Sequence, residues 1–337
     1  MEPSTDRDVT SAALRASDHA PQQIAADLAY LRTAIVNVFF YGPPDAGDRG
    51  WVLIDAGIPG AASRIVDAAA ARFGWGARPS AIILTHGHFD HVGALKELAR
   101  KWEAPVYAHP LELPYLTGRS AYPPPDPTVG GGAMARMAAL YPRGPIYVGP
   151  RLEELPADES VPGMDGWRWV HTPGHTAGHV SLFRESDRAL IAGDAVVTTK
   201  QESMLSVLAQ RPEVHGPPMY FTQDWGAAGA SAAALAALEP QLLATGHGPP
   251  MRGAESLAAL HDLAANFRER AVPRRGRYVD GGPAVADETG VVSVPPEVDD
   301  ALPRILLGVG VAAVAGVVLR RVLARRSDAF DDRFSDY

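Results

Sequence analysis

The sequence predicts an α/β protein in which helices cover β-sheets. Short runs rich in β-branched and aromatic residues end at glycine or proline, as strands do, and the first two lie at residues 34–41 and 51–55. Amphipathic stretches at residues 61–73 and 92–102 follow them, with apolar positions at helical spacing. Strands that alternate with helices on this scale are typical of α/β folds.

The later elements continue this alternation. Further strands are predicted at residues 81–84, 106–108, 167–170, 179–183, 189–192 and 241–244, and further helices at 228–238 and 255–270. Residues 119–161 interrupt the alternation with many prolines and glycines around one short helix-like piece at 133–140. A long irregular stretch inside a compact domain is usually a lid or a binding loop, and we expect one here.

The composition excludes several classes of protein. The chain has 337 residues and a formal net charge of −8, which argues against electrostatic binding of nucleic acid. It contains no cysteine, so disulfides, thiol nucleophiles and cysteine-ligated metals are excluded. Any metal site must therefore be built from carboxylates and from the 11 histidines.

The two ends of the chain differ from the middle. Residues 1–22 are polar and predict a disordered leader, followed by a catalytic domain at 23–275, a linker at 276–303 and a polar tail at 327–337. Residues 304–326 contain an uninterrupted run of apolar residues and glycines at 305–319, which predicts a helix about 22 Å long. Arginines flank this run, so we expect membrane association, with the catalytic domain in the cytoplasm. The alternative is a soluble helix that packs on the domain.

The strongest chemical signal is the sequence Thr85-His-Gly-His-Phe-Asp-His91. It follows the predicted strand at 81–84 and precedes the predicted helix at 92–102. Four metal-binding side chains lie within six residues, at a turn where the backbone changes direction. Such a turn can aim His86 and His88 at one centre and Asp90 and His91 at a neighbouring one.

Four further candidate residues lie at strand ends or in glycine-rich turns. They are Asp55, His175, Asp194 and His247. Ligands presented from such positions converge on one edge of a sheet, where binding crevices form. The sequence therefore predicts a metal site with several histidine and carboxylate ligands.

These motifs resemble those of the metallo-β-lactamase superfamily, over residues 24–270. The resemblance implies a four-layer αββα sandwich, here followed by a C-terminal apolar helix. It also implies two divalent metal ions, most simply zinc, with manganese or iron as alternatives. By the resemblance, one ion is held by His86, His88 and His175, the other by Asp90, His91 and His247, and Asp194 bridges the two. Asp90 and Asp55 are the implied catalytic residues, with Asp55 orienting the histidine ligands.

Such a centre implies a hydrolase in which a metal-bridging hydroxide attacks an electrophilic carbonyl or phosphoryl group. Two lactamase subclasses use a cysteine ligand, and the third typically lacks the bridging acid that Asp194 provides. The diiron oxygen-reducing relatives carry a glutamate in place of His88. The thioesterase and lactonase branch remains, with a small-molecule ester, thioester or lactone as substrate.

Three other functions stay open at this stage. A mononuclear iron persulfide dioxygenase would share His86, His175 and Asp194, and a phosphodiesterase would use the same centre. A metal-binding scaffold without catalysis is the third. Of the other histidines, we expect His171 and His179 to be structural or exposed, and His109 to lie in a turn.

Overall fold

The computed structural model describes residues 20–297, which fold around two large β-sheets. The spatial order of the seven strands in the first sheet follows their order in the chain. They are β1 (Gln22–Ala25), β2 (Leu28–Thr33), β3 (Val36–Tyr41), β4 (Val52–Ile54), β5 (Ala81–Ile83), β6 (Val106–Ala108) and β7 (Leu152–Glu154). Strands β1 to β4 pair antiparallel, and β4 to β7 pair parallel. The carboxyl ends of β4, β5 and β6 therefore meet at one edge.

The second sheet has the spatial order β12-β11-β10-β9-β8. Its strands are β8 (Trp167–His171), β9 (Val180–Arg184), β10 (Ala189–Ile191), β11 (Leu242–Ala244) and β12 (Met251–Arg252). Strands β10 and β11 are parallel, and the other pairs are antiparallel. A separate hairpin joins β13 (Val285–Asp287) to β14 (Gly290–Ser293).

The helices are mostly short. They are α1 (Ala62–Phe73), α2 (Phe89–Val92), α3 (Leu95–Trp102), α4 (Leu113–Leu116), α5 (Ala133–Met137), α6 (Met204–Ala209), α7 (Trp225–Ala237), α8 (Gly253–Ala265), α9 (Phe267–Arg270) and α10 (Arg277–Asp280). Two 3₁₀ turns cover Pro110–Glu112 and Ala138–Leu140.

Three apolar clusters separate the layers of the fold. In β4, Leu53 packs with α1 and α3 on the outer face of the first sheet. Its neighbours Val52 and Ile54 point the other way and pack against the second sheet. On the outer face of the second sheet, Leu190 and Leu243 pack with α7 and α8. The described residues therefore form helix, sheet, sheet and helix layers, in the order that the resemblance implies.

Two helices predicted as continuous are divided in the structure. The predicted helix at 92–102 is interrupted because the backbone amides of Gly93 and Ala94 donate to the carbonyls of Gly57 and Ala56. A Cβ atom at Gly93 would also lie 2.2 Å from the nitrogen of Pro59, so only glycine allows this approach. The predicted helix at 255–270 is likewise divided, into α8 and α9.

Several segments outside the sheets bear on the predicted organisation. The short helix predicted at 133–140 is present, as α5 and the 3₁₀ turn that follows it. Residues 276–297, assigned above to the linker, contain α10, β13 and β14. The predicted leader lies outside the described residues up to residue 19, and the predicted apolar helix at 304–326 and tail at 327–337 lie wholly outside them. No helix within 20–297 is long and apolar enough to span a bilayer.

Candidate metal centre

The loop between β5 and α2 brings three histidine nitrogens to one point. His88 precedes α2 in an extended conformation, which turns its side chain back toward His86. Its Nδ1 lies 3.0 Å from Nε2 of His86 and 2.9 Å from Nε2 of His175, which lies between β8 and β9. Three convergent imidazole nitrogens are a common ligand set for zinc.

A second group of ligands lies beside the first. The Nε2 atom of His247, which follows β11, is 3.5 Å from Oδ2 of Asp90. Possible ligand atoms of Asp90, His91 and His247 all lie within 4.8 Å of one another, and all three residues are buried. This is the second triad that the sequence analysis predicted to converge.

The carboxylate of Asp194, which follows β10, lies between the two groups. Its Oδ2 is 3.1 Å from Nε2 of His247 and 3.5 Å from Nε2 of His175. Its Oδ1 is 3.5 Å from Nε2 of His91. Asp194 therefore contacts histidines of both triads. The structure thus brings all seven predicted ligand residues together.

Hydrogen bonds to the second ring nitrogen set the tautomers of three histidines. The hydroxyl of Thr85 donates to Oδ2 of Asp55 at 2.8 Å, so it accepts from Nδ1 of His86 at 3.1 Å. His91 donates from Nδ1 to Asp55 at 2.8 Å, and His247 donates from Nδ1 to the Ile35 carbonyl at 2.7 Å. The Nε2 lone pairs of all three rings then face the centre, which is the arrangement a metal requires.

Asp55 has the orienting geometry that the sequence analysis expected. It follows β4, is fully buried, and accepts a further hydrogen bond from the Thr85 amide at 2.9 Å. Its φ of 59° lies in the left-handed region, where aspartate is among the better tolerated residues. This conformation turns its carboxylate toward the loop that carries His86 and His91.

Several buried polar atoms of the centre have no hydrogen-bond partner within residues 20–297. They are Nε2 of His88, Nε2 of His91, Nδ1 of His175 and Oδ1 of Asp194. Buried polar atoms are nearly always paired, because an unpaired one costs about 1–3 kcal/mol. Two of them, in His91 and Asp194, face the centre, as metal ligands would. The residues present therefore fit divalent metal ions.

Burial and charge perturb the pKa values of the ligand residues in two directions. Burial lowers the pKa of His88 to about 3 and keeps the pKa values of His86 and His175 well below the usual range. Burial also acts on His91, but the carboxylates of Asp194 and Asp55 outweigh it and raise its pKa. The first three rings are therefore neutral at pH 7, as ligands must be, and a metal would replace a proton on His91.

Residues outside the predicted motifs hold the ligands in place. The side-chain amide of Asn37 donates to the carbonyls of Thr245 and Gly248, on either side of His247, at 2.9 and 2.7 Å. His179 accepts a hydrogen bond from the Asp194 amide at 2.8 Å, which is a structural role, as expected. Sequence reasoning did not find Asn37 because its partners are backbone carbonyls that leave no pattern in the sequence.

Three further histidines within residues 20–297 lie outside the two triads. His109 accepts from the Leu111 amide at the start of a 3₁₀ turn, as expected, and stacks on the exposed ring of His171 with centroids 4.4 Å apart. His215 pairs with Glu213. None of these three belongs to a possible metal-ligand group within the described part of the chain.

An apolar cluster, to which the predicted lid at 119–161 contributes, covers one side of the centre. Phe221 stacks on the ring of His88, with centroids 4.6 Å apart, and Tyr141 packs against both Phe221 and Phe89. Met134 and Val129, from the segment 119–161, complete this cluster. The lid and Phe221 together therefore give the centre a wall of aromatic and aliphatic side chains.

Comparisons with known proteins agree with the fold. The chain is 50% identical over 234 residues to the probable metallo-hydrolase YflN of Bacillus subtilis, which covers 69% of this chain and 88% of that protein. It is also 35% identical over 121 residues to a hydroxyacylglutathione hydrolase of Alkalilimnicola ehrlichii. This match covers 36% of this chain and 34% of that protein. The crystal structure of a beta-lactamase domain protein from Burkholderia ambifaria has the same fold, with a TM-score of 0.54, 20% identity, and coverage of 75% of this chain and 74% of that one. A model of the metallo-beta-lactamase superfamily matches residues 31–247. The chain therefore belongs to the metallo-β-lactamase superfamily and is a metal-dependent hydrolase.

Proposed function

We propose that the chain is a dinuclear hydrolase that cleaves an ester, a thioester or a lactone. The observation that carries this proposal is the position of the Asp194 carboxylate, whose two oxygens lie 3.1–3.5 Å from histidines of both triads. A carboxylate so placed can bind two ions at once. A mononuclear centre would leave the triad of Asp90, His91 and His247 without a function.

The proposal assigns a role to each residue of the centre. The first ion would be held by His86, His88 and His175 and the second by Asp90, His91 and His247, with the Asp194 carboxylate within reach of both. Zinc suits these nitrogen and oxygen ligands best, and manganese and iron suit them less. Two such ions supply a water of lowered pKa and polarise the bond under attack. Asp55 keeps His91 in the tautomer that leaves Nε2 free for its ion.

The aromatic residues beside the first triad favour a carbonyl substrate over a phosphodiester. The uncharged rings of Phe221 and Tyr122 both contact the ring of His88. A phosphodiester is normally bound by arginine or lysine side chains, which match its charge. The similarity to a hydroxyacylglutathione hydrolase favours thioesters among the carbonyl substrates, over the part of the chain that it covers.

Metal analysis combined with a substrate panel tests the proposal. We expect two zinc ions per chain and hydrolysis of a thioester, a lactone or an aryl ester by the zinc-loaded protein. The substitution H88A should abolish both binding of the first ion and the activity, whereas H171A, at an exposed histidine outside the triads, should leave two bound ions and the activity. One iron with oxygen uptake would identify a persulfide dioxygenase instead. Cleavage of phosphodiesters alone would identify a phosphodiesterase.

The proposal also includes membrane association through residues 304–326, with the catalytic domain in the cytoplasm. It is supported by the apolar run at 305–319 and by the arginines on either side of it. A hydrolase held at a membrane would meet apolar substrates there, in keeping with the apolar lid.

A further inference from the structure

A fully buried glutamate lies behind the metal centre. Glu112 ends the 3₁₀ turn that follows β6, and its side chain has no exposed surface. It accepts four hydrogen bonds, two on each oxygen. Oε1 accepts from the Thr176 hydroxyl at 2.7 Å and the Gly178 amide at 3.0 Å. Oε2 accepts from the Gly87 amide at 3.0 Å and from the Tyr122 hydroxyl. Four donors occupy the acceptor sites of an ionised carboxylate.

These hydrogen bonds tie together the two loops that carry the first triad. Gly87 lies between His86 and His88, and Thr176 follows His175 directly. The contacts are close enough to require glycine at two positions. A Cβ atom at Gly178 would lie 2.8 Å from Cγ of Glu112, and one at Gly87 would lie 2.7 Å from the Tyr122 hydroxyl. The two loops are therefore built around this carboxylate.

The histidines next to Glu112 differ from the other three in how their rings are held. The second ring nitrogens of His86, His91 and His247 are hydrogen-bonded to Thr85, Asp55 and Ile35. The second ring nitrogens of His88 and His175 have no partner within residues 20–297. A metal-binding histidine is almost always oriented through that nitrogen. For His88 and His175, orientation must come from the main chain, and Glu112 holds that main chain on both sides.

The neighbours of Glu112 extend the same support to the His88 ring. Tyr122, which donates to Glu112, also accepts from the Gly87 amide at 2.9 Å. Its ring lies 4.5 Å from the ring of His88 and stacks on Tyr115 at 3.8 Å, between centroids. The rings of Tyr122 and Phe221 therefore both pack against the ring of His88.

We propose that Glu112 is a positioning residue that sets the affinity for the ion held by His86, His88 and His175. This inference rests on the proposed two-ion centre. It assigns the two ions different main supports. Glu112 acts through the backbone on the first triad, whereas Asp55 acts on Nδ1 of His91 in the second triad and reaches His86 only through Thr85. In E112Q, the NH₂ group would replace one carboxylate oxygen and face either Gly87 and Tyr122 or Thr176 and Gly178. Two hydrogen bonds to one of the two loops would then be lost.

Cobalt titration of the full-length, metal-free protein tests this inference. Wild type and E112Q are titrated against a chromophoric chelator, and the visible spectrum of bound cobalt reports the ligand geometry. We expect one of the two dissociation constants of E112Q to rise by roughly ten- to a hundredfold, with an altered cobalt spectrum. The other constant should change much less. The control is D126N, because Asp126 is also buried and accepts from Thr128 and from the Arg277 amide, away from the ligands.

A second variant keeps the test decisive if E112Q does not fold. T176V is nearly isosteric and removes one of the four donors to Glu112, so it should weaken the same constant in the same direction by a smaller factor. The inference would be overturned if either variant folds and has the cobalt dissociation constants and the visible spectrum of wild type. These measurements are independent of hydrolysis. If wild type binds cobalt but cleaves no ester, thioester or lactone, the proposed function fails. The cobalt dissociation constants of wild type and E112Q still test whether Glu112 positions the ligands. If wild type takes up a single ion, the loss is expected in that one constant.

Discussion

Replacing Asp55 by asparagine should weaken metal binding, most strongly for the ion that His91 would hold. The change keeps the size of the side chain and replaces one carboxylate oxygen by an amide. Asparagine tolerates the left-handed backbone of residue 55, with its φ of 59°, as well as aspartate does. The perturbation is therefore confined to the hydrogen bonds with Thr85 and His91.

The size of the effect follows from those hydrogen bonds. Asp55 accepts three of them, at 2.8–2.9 Å, in a fully buried position. An asparagine can accept at one oxygen only, so at least one donor loses its partner, at a cost of about 1.5–3 kcal/mol for a charged acceptor. Loss of a residue that orients a metal ligand typically lowers metal affinity ten- to a hundredfold, or about 1.4–2.7 kcal/mol. The two estimates agree.

Competition titration with zinc measures this effect directly. Metal-free wild type, D55N and D126N are titrated against a chromophoric chelator at pH 7. Asp126 is a matched control, because it too is buried and accepts three hydrogen bonds, from Thr128 and Arg277. We expect D55N to bind the ion of His91 ten- to a hundredfold more weakly than D126N does. Identical constants in the two variants would refute the role of Asp55 as an orienting residue.

Three other predictions concern pH, packing and the end of the chain. Burial lowers the pKa of His179 to about 3, so between pH 6.5 and 3 the unfolded chain gains a proton there that the folded protein does not. The metal-free protein should lose stability through this histidine as the pH falls, and H179Q should lose about 2 kcal/mol less than wild type between pH 7 and 5 in urea unfolding. The substitution G246A should abolish binding of at least one metal ion, because its Cβ would lie 2.1 Å from Oδ1 of Asp194, whereas G226A, in α7, should bind metal as wild type does. Removal of residues 300–337 should shift the protein from the membrane fraction to the supernatant after ultracentrifugation.

Each of these has a result that would contradict it. For His179, that result is an equal loss of stability in wild type and H179Q. For Gly246, it is a G246A protein with two tightly bound ions. For the end of the chain, it is a full-length protein that distributes as the truncated one does.

The convergence of the ligand residues could be predicted because each motif is local. His86, His88, Asp90 and His91 lie within one turn, and the strand before them is recognisable from its apolar run. Asp55, Asp194 and His247 also follow short apolar strands. Parallel pairing places Asp55 beside the loop after β5 in the first sheet, and Asp194 beside His247 in the second sheet.

The supports of the ligands could not be predicted in this way. Glu112 is a single acidic residue after a proline, at no regular spacing from the motifs, and its partners are backbone amides and hydroxyls. Asn37 holds the loop of His247 by donating to two main-chain carbonyls, and Ile35 binds His247 through its own main-chain carbonyl. Every residue has such a carbonyl, so the sequence does not mark these contacts. Such interactions depend on tertiary proximity, which periodicity and motif spacing do not encode.

The elements that were missed or divided have a similar origin. Strands β1 and β2 mix polar and apolar residues, and their pairing with β3 stabilises them more than their own composition does. The break at Gly93 depends on Pro59, in a separate loop. Local pattern predicts the type of an element well when its own residues form the core, and poorly when a distant segment determines it.

The hydrogen bond between Ile35 and His247 has a consequence for how the protein is made. The two residues are 212 positions apart in the chain, and the carbonyls that bond to Asn37 lie just as far from it. A ribosome that adds 5–20 residues per second needs roughly 10 to 40 s to synthesise the intervening segment. The segment that anchors His247 is therefore synthesised long before His247 itself. Assembly of this part of the centre is a late event, completed after almost the whole catalytic domain has been synthesised.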